Sequence, residues 1–214
     1  MTILYATCSG RLCSLSHPTP AEVDFVDIAQ ALSQLNRYAG NSLVPISVAH
    51  HTLIGLAECP EELKPWWLLH DAHEQRICEV TTPAKRALET TAEEIAAEVS
   101  PHTAWAPGVA AALVSRTLAR LTARHDAAIH TAAGLPLPSA SQKAAIRQID
   151  LICLATERRD FHAPPSAAWD IDEMDPPPRA ARRVHKWRAP ARCAEELLAA
   201  FERYLPALVA ANAP

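Results

Sequence analysis

Residues 144–160 read AAIRQIDLICLATERRD. Ile146, Ile149, Cys153 and Leu154 recur at three- and four-residue steps, which lays one apolar stripe along an α-helix and does not fit the strict alternation of a half-buried strand. Ser139 stands where an N-cap belongs, so a helix is predicted from there to about Arg159. Asp150 interrupts the stripe, four residues past Ile146. A lone carboxylate on that face costs several kcal/mol or takes up a proton. It therefore needs a partner: a buried Arg, the end of another helix, or a metal ion.

The same period recurs on both sides of this segment. Val26, Ala29, Leu32 and Leu35 form a stripe in VDIAQALSQLN, with Asp24 or Asp27 as its start. Pro45 precedes a helix through ISVAHHTLIGLAE, and CPEELKPWWLLHDAHEQ (59–75) reads as one more, with acidic residues in its first turn. TTPAKRALETTAEEIAAEVS (81–100), a segment from about Pro107 to Thr131, and APARCAEELLAAFERYLPALVA (189–210) complete the helices. Five Gly in 214 residues disfavour a turn-rich β-sandwich. The 18 Pro cluster between helical segments, where they separate helices and do not dissolve them. The expectation is an all-α fold, a compact single-domain helical bundle. Residues 1–22 are expected to be extended or irregular and 23–162 to form the core. Residues 163–214 supply a Pro-rich loop and a C-terminal helix that complete the same domain.

Twenty Lys and Arg against 24 Asp and Glu leave a formal charge of −4, which does not suit a duplex nucleic-acid binder. No apolar run reaches the roughly 18 residues of a membrane span, and MTILYATCSGRLCSL has no signal-peptide pattern, so a cytoplasmic protein is expected. Six Cys at scattered spacings, none in CxxC, read as reduced thiols and not as disulfides or a Cys-rich zinc site. Cys153 reads as a small core residue.

Two other places break the amphipathic pattern. His70-Asp71 follows the apolar run Trp66-Trp67-Leu68-Leu69, and Glu74 lies one helical turn further on the same face. A hydrogen-bonded core His explains an isolated pair of this kind. A carboxylate one turn from two metal ligands is also well placed to take a proton from water. His50-His51 are adjacent, about 100° apart on a helix, so both cannot face one site, and periodicity does not choose between them. Two His and two Asp from three helices suit a borderline divalent ion such as Mn²⁺, Co²⁺, Fe²⁺, Ni²⁺ or Zn²⁺.

With these residues in hand, the chain resembles the HD-domain metal-dependent phosphohydrolases, in particular the branch of YfbR-type 5'-deoxynucleotidases and phage-type dNTP triphosphohydrolases. The likeness runs from about Ser9 to about Leu205. SGRLCSLSHPTPAEVDFVDIAQALSQLNRYAGN is similar to the phage-type entry segment with its Arg-aromatic pair. SVAHHT resembles the V-A-x-H-S/T element and selects His51 over His50. LLHDAHE resembles the HD signature with its Glu, EVTTPAKR the D-I-P-S-P-x-K segment, and IRQIDLICLATERRDF the segment whose Asp completes the metal site.

The resemblance implies that His51, His70, Asp71 and Asp150 hold one divalent metal and that Glu74 activates or positions the attacking water. Arg37 would contact the 5' phosphate, Tyr38 pack near the sugar, and Lys85 and Arg147 bring cations to a polyphosphate. Glu79 stands where relatives usually carry an Asp that helps position nucleophile or substrate, and Cys78 replaces a usual Gly. Tyr38 replaces a frequent Trp, His50 a Gln or Glu, and Asn41 a frequent His. The function implied is hydrolysis of (deoxy)nucleotide phosphate esters, 5'-monophosphate or triphosphate, by metal-activated water. The alternative is a non-catalytic metal-containing nucleotide-sensing or interaction module. The partners implied are a nucleotide substrate, with no duplex nucleic acid and no membrane. The apolar stripes of 107–131 and the last helix serve either a homodimer interface or closure of the core.

Overall fold

Short polar side chains start three of the helices that build the core. The computed structural model describes residues 2–99, 106–164 and 168–212. Asp24 accepts from the backbone N–H groups of Val26 and Asp27 and opens α1 (Phe25–Gln34). Ser47 does the same for His50 and opens α2 (Val48–Glu58). Ser139 and Gln142 form a reciprocal capping box that starts α7 (Ala140–Phe161), the helix of the opening stretch. The other helices are α3 (Lys64–Leu69), α4 (Glu74–Ile77), α5 (Thr82–Val99), α6 (Val109–Ala132), α8 (Pro190–Tyr204) and α9 (Pro206–Ala211). The fold is all-α. Its strands, among the described residues, are one antiparallel hairpin, β1 (Leu4–Ala6) with β2 (Leu12–Ser14), inside the segment expected to be extended.

Two apolar clusters hold the helices together. Ile28, Leu32, Ala49, Leu68, Leu197 and Phe201 knit α1, α2, α3 and α8. Ile54, Trp67, Ile149, Cys153 and Phe161 join α2 and α3 to α7. The helix α2 thus lies between α7 and α8, and its residues cannot avoid the middle of the protein. The pair α5 and α6 pack on each other, and α5 buries none of its side chains. All six cysteines are free: Cys8 and Cys78 are exposed and the rest are buried. Among the described residues, no helix is long and apolar enough to cross a membrane.

Three expected helix bounds need correction. The stretch 59–75 is not one helix: α3 ends at Leu69 and α4 begins at Glu74. Between them the N–H groups of Ala72, Glu74 and Gln75 bond three residues back, to Leu69, Asp71 and Ala72, so the chain tightens into a turn carrying His70 and Asp71. The C-terminal helix is interrupted at Leu205 because Pro206 has no N–H to continue it. The helix expected from Ile46 begins at Val48. Ser100, the expected end of one helix, lies outside the described residues.

Candidate metal centre

Three elements deliver the central side chains. His51 comes from the first turn of α2, His70 and Asp71 from the tightened turn after α3, and Asp150 from the middle of α7. His51 Nε2 lies 3.2 Å from His70 Nε2, 3.6 Å from Asp71 Oδ2 and 3.7 Å from Asp150 Oδ1, and His70 Nε2 lies 3.0 Å from Asp71 Oδ2. The ligand atoms of His51, His70 and Asp71 all fall within 4.8 Å of one another, and Asp150 stands at the edge of that group.

The far sides of the two rings decide what faces inward. His51 Nδ1 is 2.6 Å from Glu157 Oε1, and His70 Nδ1 is 2.6 Å from the carbonyl oxygen of Trp67. A carboxylate and a carbonyl only accept, so each Nδ1 carries the hydrogen, and each ring in its neutral form turns a bare Nε2 lone pair inward. Two lone pairs and a carboxylate oxygen thus converge with no donor between them, an arrangement that a cation relieves. Ligands about 2.0–2.1 Å from a tetrahedral ion lie roughly 3.3 Å apart, and the separations here bracket that value. The residues present fit a divalent metal. Burial opposes a charge on His70, yet the charge of Asp71 outweighs it and raises the His70 pKa.

Further acids and one buried Arg surround this group. Arg37 approaches Asp71 at 3.7 Å, Glu79 at 3.5 Å and Glu157 at 3.1 Å. The expected phosphate anchor is therefore already enclosed by three carboxyl groups. Glu79 accepts from the Tyr38 backbone N–H at 2.8 Å, and Tyr38 donates its hydroxyl to Glu157 at 2.5 Å. The Tyr38 ring lies against His162, with centroids 4.4 Å apart, and against Trp169. Glu74 Oε2 is buried with no hydrogen-bond partner, and burial, then the charge of Asp71, pushes its carboxyl up to about 9. Burial also raises Glu79, against the pull of Arg37.

Beside His70 and Asp150 opens a cavity of about 300 Å³, lined also by Lys143, Arg147, His130 and Trp66. Arg147, at its rim, donates to Asp150 Oδ2 at 2.8 Å. Lys85 does not join this set: its side chain is exposed on α5 and has no ion-pair or hydrogen-bond partner among the described residues. The i,i+4 partner of Arg147 on the cavity wall is instead Lys143, which the sequence reading passed over. His50 turns away from the cluster and packs edge-on against Phe161 and His185, where burial, then Arg188, lowers its pKa to about 4. His73 pairs with Asp126 at 3.0 Å. Glu157 was missed as well, although the spacing contains it: seven residues past Asp150 is two helical turns, hence the same face of α7.

Cys78 adopts φ 63° and ψ 161°, a region essentially confined to glycine, immediately before Glu79. The Cys therefore keeps a glycine-like path at the cost of strain. Tyr38 and Ala39 are both left-handed as well (φ 57° and 50°), so the two stretches of chain flanking Arg37 and Glu79 depart from relaxed geometry.

No family model matches the chain. It is 30% identical over 170 residues to the uncharacterized protein YfdR of Escherichia coli (strain K12), an alignment covering 79% of each chain. The chain belongs to the YfdR family.

Proposed function

We propose that this chain is a metal-dependent phosphohydrolase that acts on (deoxy)nucleotides, 5'-monophosphates or triphosphates. The observation that carries the reading is the convergence of two inward Nε2 positions and the Asp71 carboxylate, with the buried, unpartnered Glu74 Oε2 on a carboxyl that feels the Asp71 charge. When bound, a Mn²⁺, Co²⁺, Fe²⁺, Ni²⁺ or Zn²⁺ ion supplies Lewis acidity toward water and a phosphoryl oxygen, and its charge draws neighbouring carboxyls back toward ionisation. His51, His70 and Asp71 would hold the ion, with Asp150 at its margin. Glu74 would take the proton from the attacking water. Arg147 and Lys143, one turn apart on the cavity wall, offer the donors for phosphate oxygens. Arg37 keeps Asp71 and Glu79 in place and meets a phosphate only by exchanging a carboxylate partner for it.

The test is to strip the protein of metal, reload it with Mn²⁺ or Co²⁺, and assay a panel of ribo- and deoxynucleoside mono- and triphosphates. Chromatography of the products separates phosphate release from triphosphate release. Turnover that disappears in Glu74→Gln with metal content retained, and in Asp71→Ala together with the metal, supports the proposal. A metal-loaded wild type that turns over none of the panel refutes it and leaves the non-catalytic module as the reading.

A further inference from the structure

Glu157 has no exposed surface, yet it is a carboxylate, and a charge buried that deeply is tolerated only where every lone pair is used. Its two oxygens face three donors on two separate segments. Oε1 takes the His51 Nδ1 hydrogen at 2.6 Å, while Oε2 takes Arg37 Nε at 3.1 Å and the Tyr38 hydroxyl at 2.5 Å. Arg37 and Tyr38 open a turn in which Tyr38 and Ala39 are left-handed and which Asn41 closes by donating to the Tyr38 carbonyl. His51 sits on α2, 106 residues earlier in the chain than Glu157. Only a group with two acceptor oxygens and no hydrogen of its own satisfies all three at once.

We infer that Glu157 is the positioning residue of the metal centre: its carboxylate holds His51 in the Nδ1–H tautomer, so that Nε2 stays a ligand, and ties Arg37 and Tyr38 to the same point. The inference rests on the metal-centre reading above and adds a residue to it. A carboxylate behind a ligating imidazole fixes the ring's orientation and raises its basicity, and losing such a partner costs about 10–100-fold in metal affinity. The amide of Glu157→Gln is nearly the same shape but has a single acceptor. If its oxygen meets Arg37 and Tyr38, its NH₂ points at His51 Nδ1 and drives the hydrogen to Nε2, which removes a ligand lone pair. If its oxygen meets His51, the NH₂ opposes the Arg37 N–H instead. Either orientation leaves one side wrong.

Two measurements test this on the full chain. The first is the affinity for Co²⁺ and its visible absorption spectrum, in wild type and in Glu157→Gln. The expected result is affinity weakened about 10–100-fold with an altered band shape. The second reads the wild-type site: ¹⁵N–¹H correlation of the histidine rings in wild-type protein, metal-free and Zn²⁺-loaded, with a His51→Asn spectrum used only to assign the His51 signals. The expected result is an Nδ1–H tautomer for His51 in both states. A folded Glu157→Gln with wild-type affinity and spectrum, or a His51 carrying its hydrogen on Nε2, overturns the inference. Should Glu157→Gln not fold, the wild-type tautomer decides alone. A wild type that binds neither Co²⁺ nor Zn²⁺ overturns the centre as a whole. Failure to hydrolyse any nucleotide refutes only the substrate assignment, because neither measurement involves turnover.

Discussion

Gly55 is the position at which a single methyl group should reach the candidate centre without touching it. It lies in α2, and a Cβ placed there would come 2.0 Å from Trp67 Cζ2, 2.6 Å from Cε2 and 2.8 Å from Cys153 Sγ. The indole cannot step aside freely. Trp67 is wholly buried, its Nε1 donates to the Thr52 carbonyl at 2.8 Å, and its ring stacks on His70 with centroids 3.9 Å apart. Overpacking a buried site of this kind costs about 1–3 kcal/mol, and breaking the indole hydrogen bond adds about 1 kcal/mol. The helix gains back about 1 kcal/mol when Ala replaces Gly. Gly55→Ala should therefore be destabilised by about 2 kcal/mol, read from the midpoint of urea unfolding at unchanged slope. Because Trp67 also holds His70 Nδ1 through its carbonyl, Co²⁺ affinity should fall in the same variant. A Gly55→Ala protein more stable than wild type by the helix-propensity gain alone would refute the close contact between α2 and Trp67.

Cys78→Gly should stabilise the protein by about 1 kcal/mol or more in the same assay, since glycine adopts φ 63° and ψ 161° without the strain a side chain meets; no gain would mean that the turn is relaxed with Cys in place. Asp27 receives the Ser9 N–H and the Ser9 hydroxyl at 2.9 and 2.8 Å, and although burial works to raise its pKa, the hydrogen bonds from Thr7 and Ser9 hold it below the ordinary value. A depressed carboxyl stabilises the fold above its unfolded pKa of about 3.9 and loses that contribution as pH falls through the lower folded value. Asp27→Asn should accordingly cost about 1–2 kcal/mol at pH 7 and little well below pH 3; a cost independent of pH would assign it to shape and not to charge.

Local pattern carried a large part of the structure. The stripe of Ile146, Ile149 and Cys153 is the face of α7 that packs against α2 and α3, and Asp24 and Ser139 cap the helices they precede, whereas the Ser47 cap of α2 was not read from the sequence. Where helices break was less legible. The turn at His70–His73 continues an apolar run with no Pro or Gly to mark it, and its tightening depends on contacts around Trp67. Lys85 is attached to a helix whose principal packing, among the described residues, is on α6, a placement that no residue near Lys85 encodes.

What the sequence by itself determined is the all-α class, the main helices, and an inward acid on α7 within reach of other polar groups, because period, caps and prolines act over a few residues. What only the tertiary structure decided is which groups meet. Its packing of α2 between α7 and α8 turned His51 toward Asp71 and Asp150 and sent His50 to Phe161. It also sealed Glu157 behind His51, Arg37 and Tyr38, more than 100 residues away in the chain. The physical reason is that a buried charge is settled by the partners that packing delivers, and neighbours along the chain do not name those partners.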